Sequence, residues 1–217
     1  MGTPTITVVR NEVDTDCEYH CDALSALVPN ALEIDYPAGE RPALERTDGV
    51  VLSGSTAGVY EADEQPWIDD QKRLVRELID REIPTLGVCF GHQLVNAALD
   101  GTVEHVGTIA RPITATLADD RLFEDVSPVV PVAHGDVVTD VGDGMTVIAS
   151  ADYYHAFATR HHSAPLWTVQ FHPEFTGTLR ERLEADFGWT DGDTDLEDVD
   201  ATRVVENFAS IVADASV

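Results

Sequence analysis

Apolar residues run along this chain first in short unbroken stretches and later in alternation. Thr5–Val9 (TITVV), Gly49–Leu52 (GVVL) and Pro84–Val88 (PTLGV) are continuous runs, each followed by polar or turn-forming residues. Runs of that length with no polar face predict strands buried on both sides, as in a parallel sheet covered by helices. Ala31–Tyr36 predicts another strand. Between these runs the spacing becomes helical. Cys17–Leu27 predicts a helix closed by Val28-Pro29-Asn30. Pro66–Arg81 carries Trp67, Leu74 and Leu78 beside Ile68, Val75 and Ile79, with Pro66 where a helix start tolerates it. Gly91–Leu99 predicts a third helix. The first hundred residues therefore alternate strand and helix.

From Gly101 to Gln170 short β-rich segments follow one another: Thr102–Val106, Ile113–Leu117, Val129–Ala133, Thr146–Ala149, Phe157–Thr159 and Leu166–Phe171. They predict antiparallel additions to the same sheet and a small antiparallel flanking sheet. A helix over Thr178–Asp186, an acidic connector Asp191–Asp200 and a last helix over Arg203–Val212 close the chain. The expectation is one α/β domain over residues 1–217, a three-layer α/β/α stack around a mostly parallel sheet. Residues 190–217 form its acidic connector and C-terminal helix.

Composition narrows the function. Among 217 residues, 40 Asp and Glu face 13 Lys and Arg, a formal net charge of −27. Nucleic acid needs a basic footprint and an anionic membrane surface attracts basic clusters, so neither is expected as a partner. The acid excess is spread along the chain and lysine occurs once, at Lys72. Such a surface suits a protein kept soluble in concentrated salt, where screening removes its self-repulsion; the plainer alternative is an ordinary acidic cytosolic protein. Met1–Val9 lacks the basic start and long apolar core of a signal peptide, and no apolar stretch is long enough to span a membrane, so a cytoplasmic location is expected. Three cysteines do not read as a disulfide framework.

One segment carries chemistry. Thr85–Gly91 reads TLGVCFG, a Gly-x-Cys-x-Gly turn between a predicted strand and a predicted helix. This is a nucleophile elbow: the flanking glycines relieve crowding at a sharp turn that lifts Cys89 above the sheet. The following helix begins there, so its dipole favours a thiolate, and the N–H of Phe90 faces the place of a developing oxyanion. A thiol nucleophile needs a base, and the base an orienting acceptor. Phe171–Glu174 (FHPE) supplies both: His172 to move the proton and Glu174 to hold the imidazole.

GVCFGHQL together with QFHPE resembles the class I, triad-type glutamine amidotransferases, and most closely the glutaminase domain of GMP synthetases and its stand-alone relatives. The resemblance extends to Leu52–Ser55 (LSGS) and to His134–Val138 (HGDVV), and covers most of Gly49–Glu174. It implies the flavodoxin-like fold of that family and hydrolysis of the glutamine side-chain amide through a Cys89 γ-glutamyl thioester. It further implies a second oxyanion N–H from Gly54 or Ser55, contact of Gln93 with substrate, and a pocket for the substrate's α-amino and α-carboxylate groups along His134, Gly135 and Asp136. The family loop usually reads Gly-Gly-Pro, whereas this chain has Gly54-Ser55-Thr56. No metal or organic cofactor is implied. The chain has no ATP-pyrophosphatase loop, so a separate synthase is the expected ammonia acceptor. A stand-alone γ-glutamyl amide or peptide hydrolase is the alternative, and a non-catalytic binding protein a third reading.

Other eye-catching residues read as structural. Cys17, Cys21 and His20 share one stretch, but a pair without a second pair is a weak zinc signal, and helix packing or surface is the expectation. His92 is expected to make local hydrogen bonds at a helix start. His105, His155, His161 and His162 read as surface or supporting positions. Trp67 and Trp167 read as core. Asp191–Asp200 reads as a solvated loop.

Overall fold

The computed structural model describes residues 3–215. The outermost residues of the expected domain, 1–2 and 216–217, lie outside the described residues. Strands β1 (Ile6–Arg10), β2 (Ala31–Asp35), β3 (Gly49–Leu52) and β4 (Thr85–Val88) alternate with helices α1 (Tyr19–Leu27), α2 (Trp67–Asp80) and α3 (Phe90–Ala98). Then come β5 (Thr102–Leu117), β6 (Val129–Asp140), β7 (Met145–Ala151), β8 (Tyr154–His161) and β9 (Leu166–Val169), followed by α4 (Arg180–Phe187) and α5 (Arg203–Ala215). The strands form one sheet in the order β2-β1-β3-β4-β9-β8-β7-β5-β6. From β2 to β9 neighbours are parallel, and from β9 to β6 antiparallel.

Side chains on β3 show why two helical layers are needed. Val51 points to one face and packs with Leu24 of α1 and Val204, Phe208 and Val212 of α5. Val50 and Leu52 point to the other and pack with Leu74, Val75 and Leu78 of α2 and Leu94 and Val95 of α3. A strand buried on both faces must be apolar throughout, which is the pattern its sequence carries. A third cluster joins Phe175, Leu183, Trp189 and Leu196 behind the segment that follows β9.

The flanking antiparallel part is continuous with the main sheet. β5 is one long strand rather than two: its first part pairs with β6 and its end with β7, with a register break between His105 and Ile109. Pro112, which lies between the two predicted segments and reads as a break in the sequence, pairs here with Pro131 of β6. β6 likewise continues through His134–Asp136 to Asp140. The connector is tied down rather than solvated: Leu196 and Val199 are buried, and Arg180 bonds Asp191, Asp195 and Glu197.

For function, the sheet order matters most. β3, β4 and β9 are parallel neighbours, so the residues following each emerge side by side at the carboxyl end of the sheet, where open α/β folds place their sites. Loop 53–58, Cys89 and residues 170–174 are thereby brought together.

Candidate active site

Cys89 stands between β4 and α3 with φ 51° and ψ −104°, a backbone conformation that L residues rarely adopt. Its N–H donates to the Val169 carbonyl at 2.9 Å, which pins the turn to β9. The elbow leaves no room for side chains on either side. A Cβ on Gly87 would meet the Gly91 carbonyl oxygen at 2.6 Å, and one on Gly91 the Leu52 carbonyl oxygen at 2.5 Å. Both obstacles are backbone and cannot swing aside. The sulfur lies 3.8 Å from the Ala133 carbonyl oxygen and accepts from Nε2 of Gln170 at 3.4 Å.

The turn after β9 delivers the partner. His172 donates its backbone N–H to the Pro131 carbonyl at 2.9 Å. Its Nδ1 lies 2.7 Å from Oε1 of Glu174, and its Nε2 lies 3.3 Å from the Ala133 carbonyl oxygen, the same oxygen the sulfur approaches. Both ring nitrogens face acceptors, an arrangement that favours the doubly protonated imidazolium. Burial opposes that charge, but the facing Cys89 and Glu174 raise the imidazole well above its ordinary pKa. Phe175 stacks on the ring, centroids 4.0 Å apart and nearly parallel, and fixes its plane. The second carboxylate oxygen of Glu174, Oε2, is buried with no hydrogen-bond partner among the described residues.

Cys89 and His172 open into a cavity of about 270 Å³. Ser55, Gln93, His134, Gly135 and Asp136 also line it. Gly54 lies just behind, in contact distance of Cys89 and His172. The N–H groups of Phe90, Gly54 and Ser55 donate to no acceptor among the described residues. Gln93 donates through Nε2 to the Asp136 carbonyl (3.2 Å) and to Oε1 of Gln170 (3.3 Å), so it steadies the glutamine that touches the sulfur. His134 is committed at both nitrogens, to the Asp136 carbonyl at 3.0 Å and the Tyr153 hydroxyl at 2.8 Å. Burial holds it neutral, down to about 4, so it serves as wall. Oδ1 of Asp136 accepts from Nδ1 of His105 (2.8 Å) and from the Tyr60 hydroxyl (3.4 Å).

Several residues at the site were not singled out by motif. Gln170 and the Ala133 carbonyl both meet the sulfur; Gln170 precedes His172 by two, so its place beside the FHPE run was a usable signal. Glu12, His20 and Thr56 also line the cavity. His20 is neither helix packing nor surface: it is buried in an ion pair with Glu12. Cys17 and Cys21 are free, buried thiols. His92 is wholly buried between the Thr168 and Tyr154 hydroxyls at 2.7 and 2.9 Å, tying α3 to β9 and β8. Burial, with His134 adding to it, pushes its pKa down to about 3. No group of three or more His, Cys, Asp or Glu among the described residues is arranged to hold a metal. No helix among them is long and apolar enough to cross a membrane.

At the carboxyl edge of the parallel half of this mixed sheet, a cysteine on a left-handed elbow thus faces a carboxylate-bound imidazole, the pairing that a thiol nucleophile and its base require. Residues 13–189 match the family model described as glutamine amidotransferase class-I, and the chain belongs to that family. It is similar to the GMP synthase [glutamine-hydrolyzing] of Thermobifida fusca, 32% identical over 166 residues that make up 75% of this chain and 29% of that protein. The corresponding protein of a Parafrankia species is 34% identical over 164 residues, 74% of this chain and 28% of that one. The chain thus spans under a third of the length of these curated relatives. Among solved structures, a glutamine amidotransferase of Thermotoga maritima shares the fold with a TM-score of 0.66 at 20% identity, covering 100% of this chain and 96% of that one. One from Methylobacillus flagellatus gives 0.71 at 15% identity, covering 99% and 96%.

Proposed function

We propose that this domain hydrolyses the side-chain amide of glutamine through Cys89 and passes the ammonia to a synthase outside these residues. One observation carries the reading: the Cys89 sulfur and a carboxylate-held His172 imidazolium converge on one carbonyl at the mouth of one small cavity. At about 270 Å³ the cavity falls just below the roughly 300–1,000 Å³ of sites for drug-sized ligands, and suits a single amino acid.

The chemistry follows from the groups present. Thiolate sulfur attacks the amide carbon and a C–S bond forms. Charge collects on the carbonyl oxygen, which the N–H of Phe90 and one from Gly54 or Ser55 receive. Nε2 of His172 gives its proton to the amide nitrogen, the C–N bond breaks and ammonia leaves. The neutral imidazole then takes a proton from water, which attacks the thioester; the C–S bond breaks and glutamate departs. Throughout, Glu174 holds Nδ1 and stabilises the cation. Gln93 and the His134–Asp136 segment of β6 form the end of the cavity that takes the amino-acid head, with the Asp136 carboxylate placed for the ammonium group.

Similarity to the glutaminase portion of GMP synthases supports a nucleotide-amidating synthase as the partner. Ammonia release from L-glutamine by the purified chain, alone and with that synthase, beside Cys89→Ala, tests the proposal. Release that Cys89→Ala abolishes supports it; release that survives in Cys89→Ala refutes it.

A further inference from the structure

A second buried imidazole–carboxylate pair stands beside the first. Nε2 of His20 lies 2.7 Å from Oε2 of Glu12, and the two side chains are 3% and 1% exposed. The His20 and His172 rings meet edge to face with centroids 6.2 Å apart. Gly54 fills the gap between them. A Cβ there would stand 3.1 Å from Cε1 of His172, 3.4 Å from Cε1 of His20 and 3.7 Å from Cβ of Cys89.

Glu12 also organises backbone. Its Oε1 accepts from the N–H groups of Val13 and Asp14 at 2.8 and 2.9 Å. The N–H of Thr56 faces Oε1 and Oε2 at 3.2 and 3.0 Å, and the Thr56 hydroxyl bonds Oε1. One buried carboxylate therefore ties the loop after β1 to the loop after β3, one residue beyond Ser55. It uses an N–H that a proline at position 56 could not offer. Burial works against charge on both partners. Hydrogen bonding to Cys21 and Glu12 nevertheless raises His20 to about 10, and His20, Thr56 and the Asp14 N–H hold Glu12 down at about 2.

We propose that Glu12 and His20 are positioning residues for the chemistry at Cys89: Glu12 fixes the Gly54–Ser55 loop through Thr56, and His20, paired with Glu12, sets its ring edge against the Cys89–His172 pair across Gly54. The proposal rests on the glutaminase reading and adds a supporting layer to the same site. The groups facing His20 are Glu12, Tyr19 and Cys21 from the first loop and α1, Glu174 and His172 from the turn after β9, and Cys89 across Gly54. The two imidazoles thus sit between the Glu12 and Glu174 side chains, with the Cys89 sulfur beside them. Removing the charge of His20 leaves excess negative charge where the reaction must add more, on sulfur and then on the substrate oxygen.

Four variants separate positioning from mere packing: His20→Gln, the double variant Glu12→Gln/His20→Gln, which keeps a hydrogen-bonding pair without its charges, and Thr56→Pro beside Thr56→Ser. The first readout needs neither substrate nor partner: the rate at which iodoacetamide modifies Cys89, followed by peptide mass across pH. The second is kcat and KM for L-glutamine. His20→Gln and the double variant should shift the modification profile upward by about one pH unit and lower kcat about 10-fold with KM little changed. Thr56→Pro should lower kcat about 10-fold while Thr56→Ser retains it. Folded variants with an unchanged modification profile and unchanged kcat would overturn the proposal. Should the charge variants not fold, histidine NMR of the unaltered protein decides: modifying Cys89 should lower the pH at which His20 loses its proton, and an unmoved midpoint overturns the proposal. A shifted profile in a protein that hydrolyses no glutamine would support the positioning role and count against the glutaminase reading alone.

Discussion

Replacing the nucleophile by glycine should make the protein more stable than replacing it by alanine. Cys89 holds φ 51° and ψ −104°, and holding a non-glycine residue in so sparse a region costs about 1–3 kcal/mol. Alanine keeps that cost because it keeps Cβ. Glycine removes it, but its freer unfolded chain gives back about 0.5–1 kcal/mol. The difference leaves Cys89→Gly ahead of Cys89→Ala by up to about 2.5 kcal/mol. Because both variants lose the sulfur, its burial and its contacts cancel in the comparison. For a chain of 217 residues, with about 2–4 °C of melting temperature per kcal/mol, the gap should reach up to about 10 °C. Calorimetry of the two variants side by side measures it, and urea unfolding checks it. Neither variant should hydrolyse glutamine. Glycine at most other buried positions is the less stable choice, so a Cys89→Gly protein that melts below Cys89→Ala would refute the view that the elbow stores strain to present its nucleophile.

Other outcomes follow from the same geometry. Gly54→Ala puts a Cβ 3.1 Å from the His172 ring; displacing that ring by a few tenths of an ångström should lower kcat about 10-fold in steady-state assays with little change in calorimetric melting. Gly91→Ala sets its Cβ 2.5 Å from a backbone oxygen and should cost about 1–3 kcal/mol, seen as a melting temperature lower by on the order of 2–12 °C. Stability should also follow pH through the Glu12–His20 pair. His20 is raised to about 10, so its contribution is complete below the ordinary 6.5 and is lost as pH rises through 10. Glu12 is lowered to about 2, so its contribution is present above 4.5 and is lost as pH falls toward 2. Melting curves of Glu12→Gln across pH should lose part of both slopes, and slopes identical to the unaltered protein would contradict the pairing. Finally, with a charge of −27, we propose that the fold requires screening by concentrated salt; melting should rise steeply from dilute to molar KCl, and a melt indifferent to salt contradicts this.

The strand-and-helix half of the fold was legible because β1, β3 and β4 are buried on both faces and α2 carries a clear stripe. The elbow was legible because crowding at a nucleophile turn leaves only glycine at 87 and 91. The His172–Glu174 pair was legible because the two residues stand two apart in the chain. Much of the antiparallel half was not. Gly107 and Pro112 interrupt the pattern of β5, and the polar stretch His134–Asp136 that of β6, although both strands continue through them. Glu12 and His20 were hidden for another reason: what makes them a pair is tertiary. His20 sits among cysteines on a helix start, and nothing in its neighbours announces that a carboxylate eight residues earlier and a loop 44 residues from Glu12 close around it. The Gly54-Ser55-Thr56 loop was recognisable as a site loop, but the reason for threonine appears only when Glu12 is seen holding its N–H and hydroxyl.

The central claim is that Cys89 is a nucleophile in a pocket shaped for glutamine. A glutamine analogue with a diazoketone in place of its amide tests this without turnover or a partner, since attack leaves a permanent bond to the attacking sulfur. Peptide mass mapping should find the label on Cys89 and not on Cys17 or Cys21, and excess L-glutamine should prevent it. Labelling of Cys17 or Cys21 in its place, or labelling of Cys89 that L-glutamine does not slow, would contradict the account.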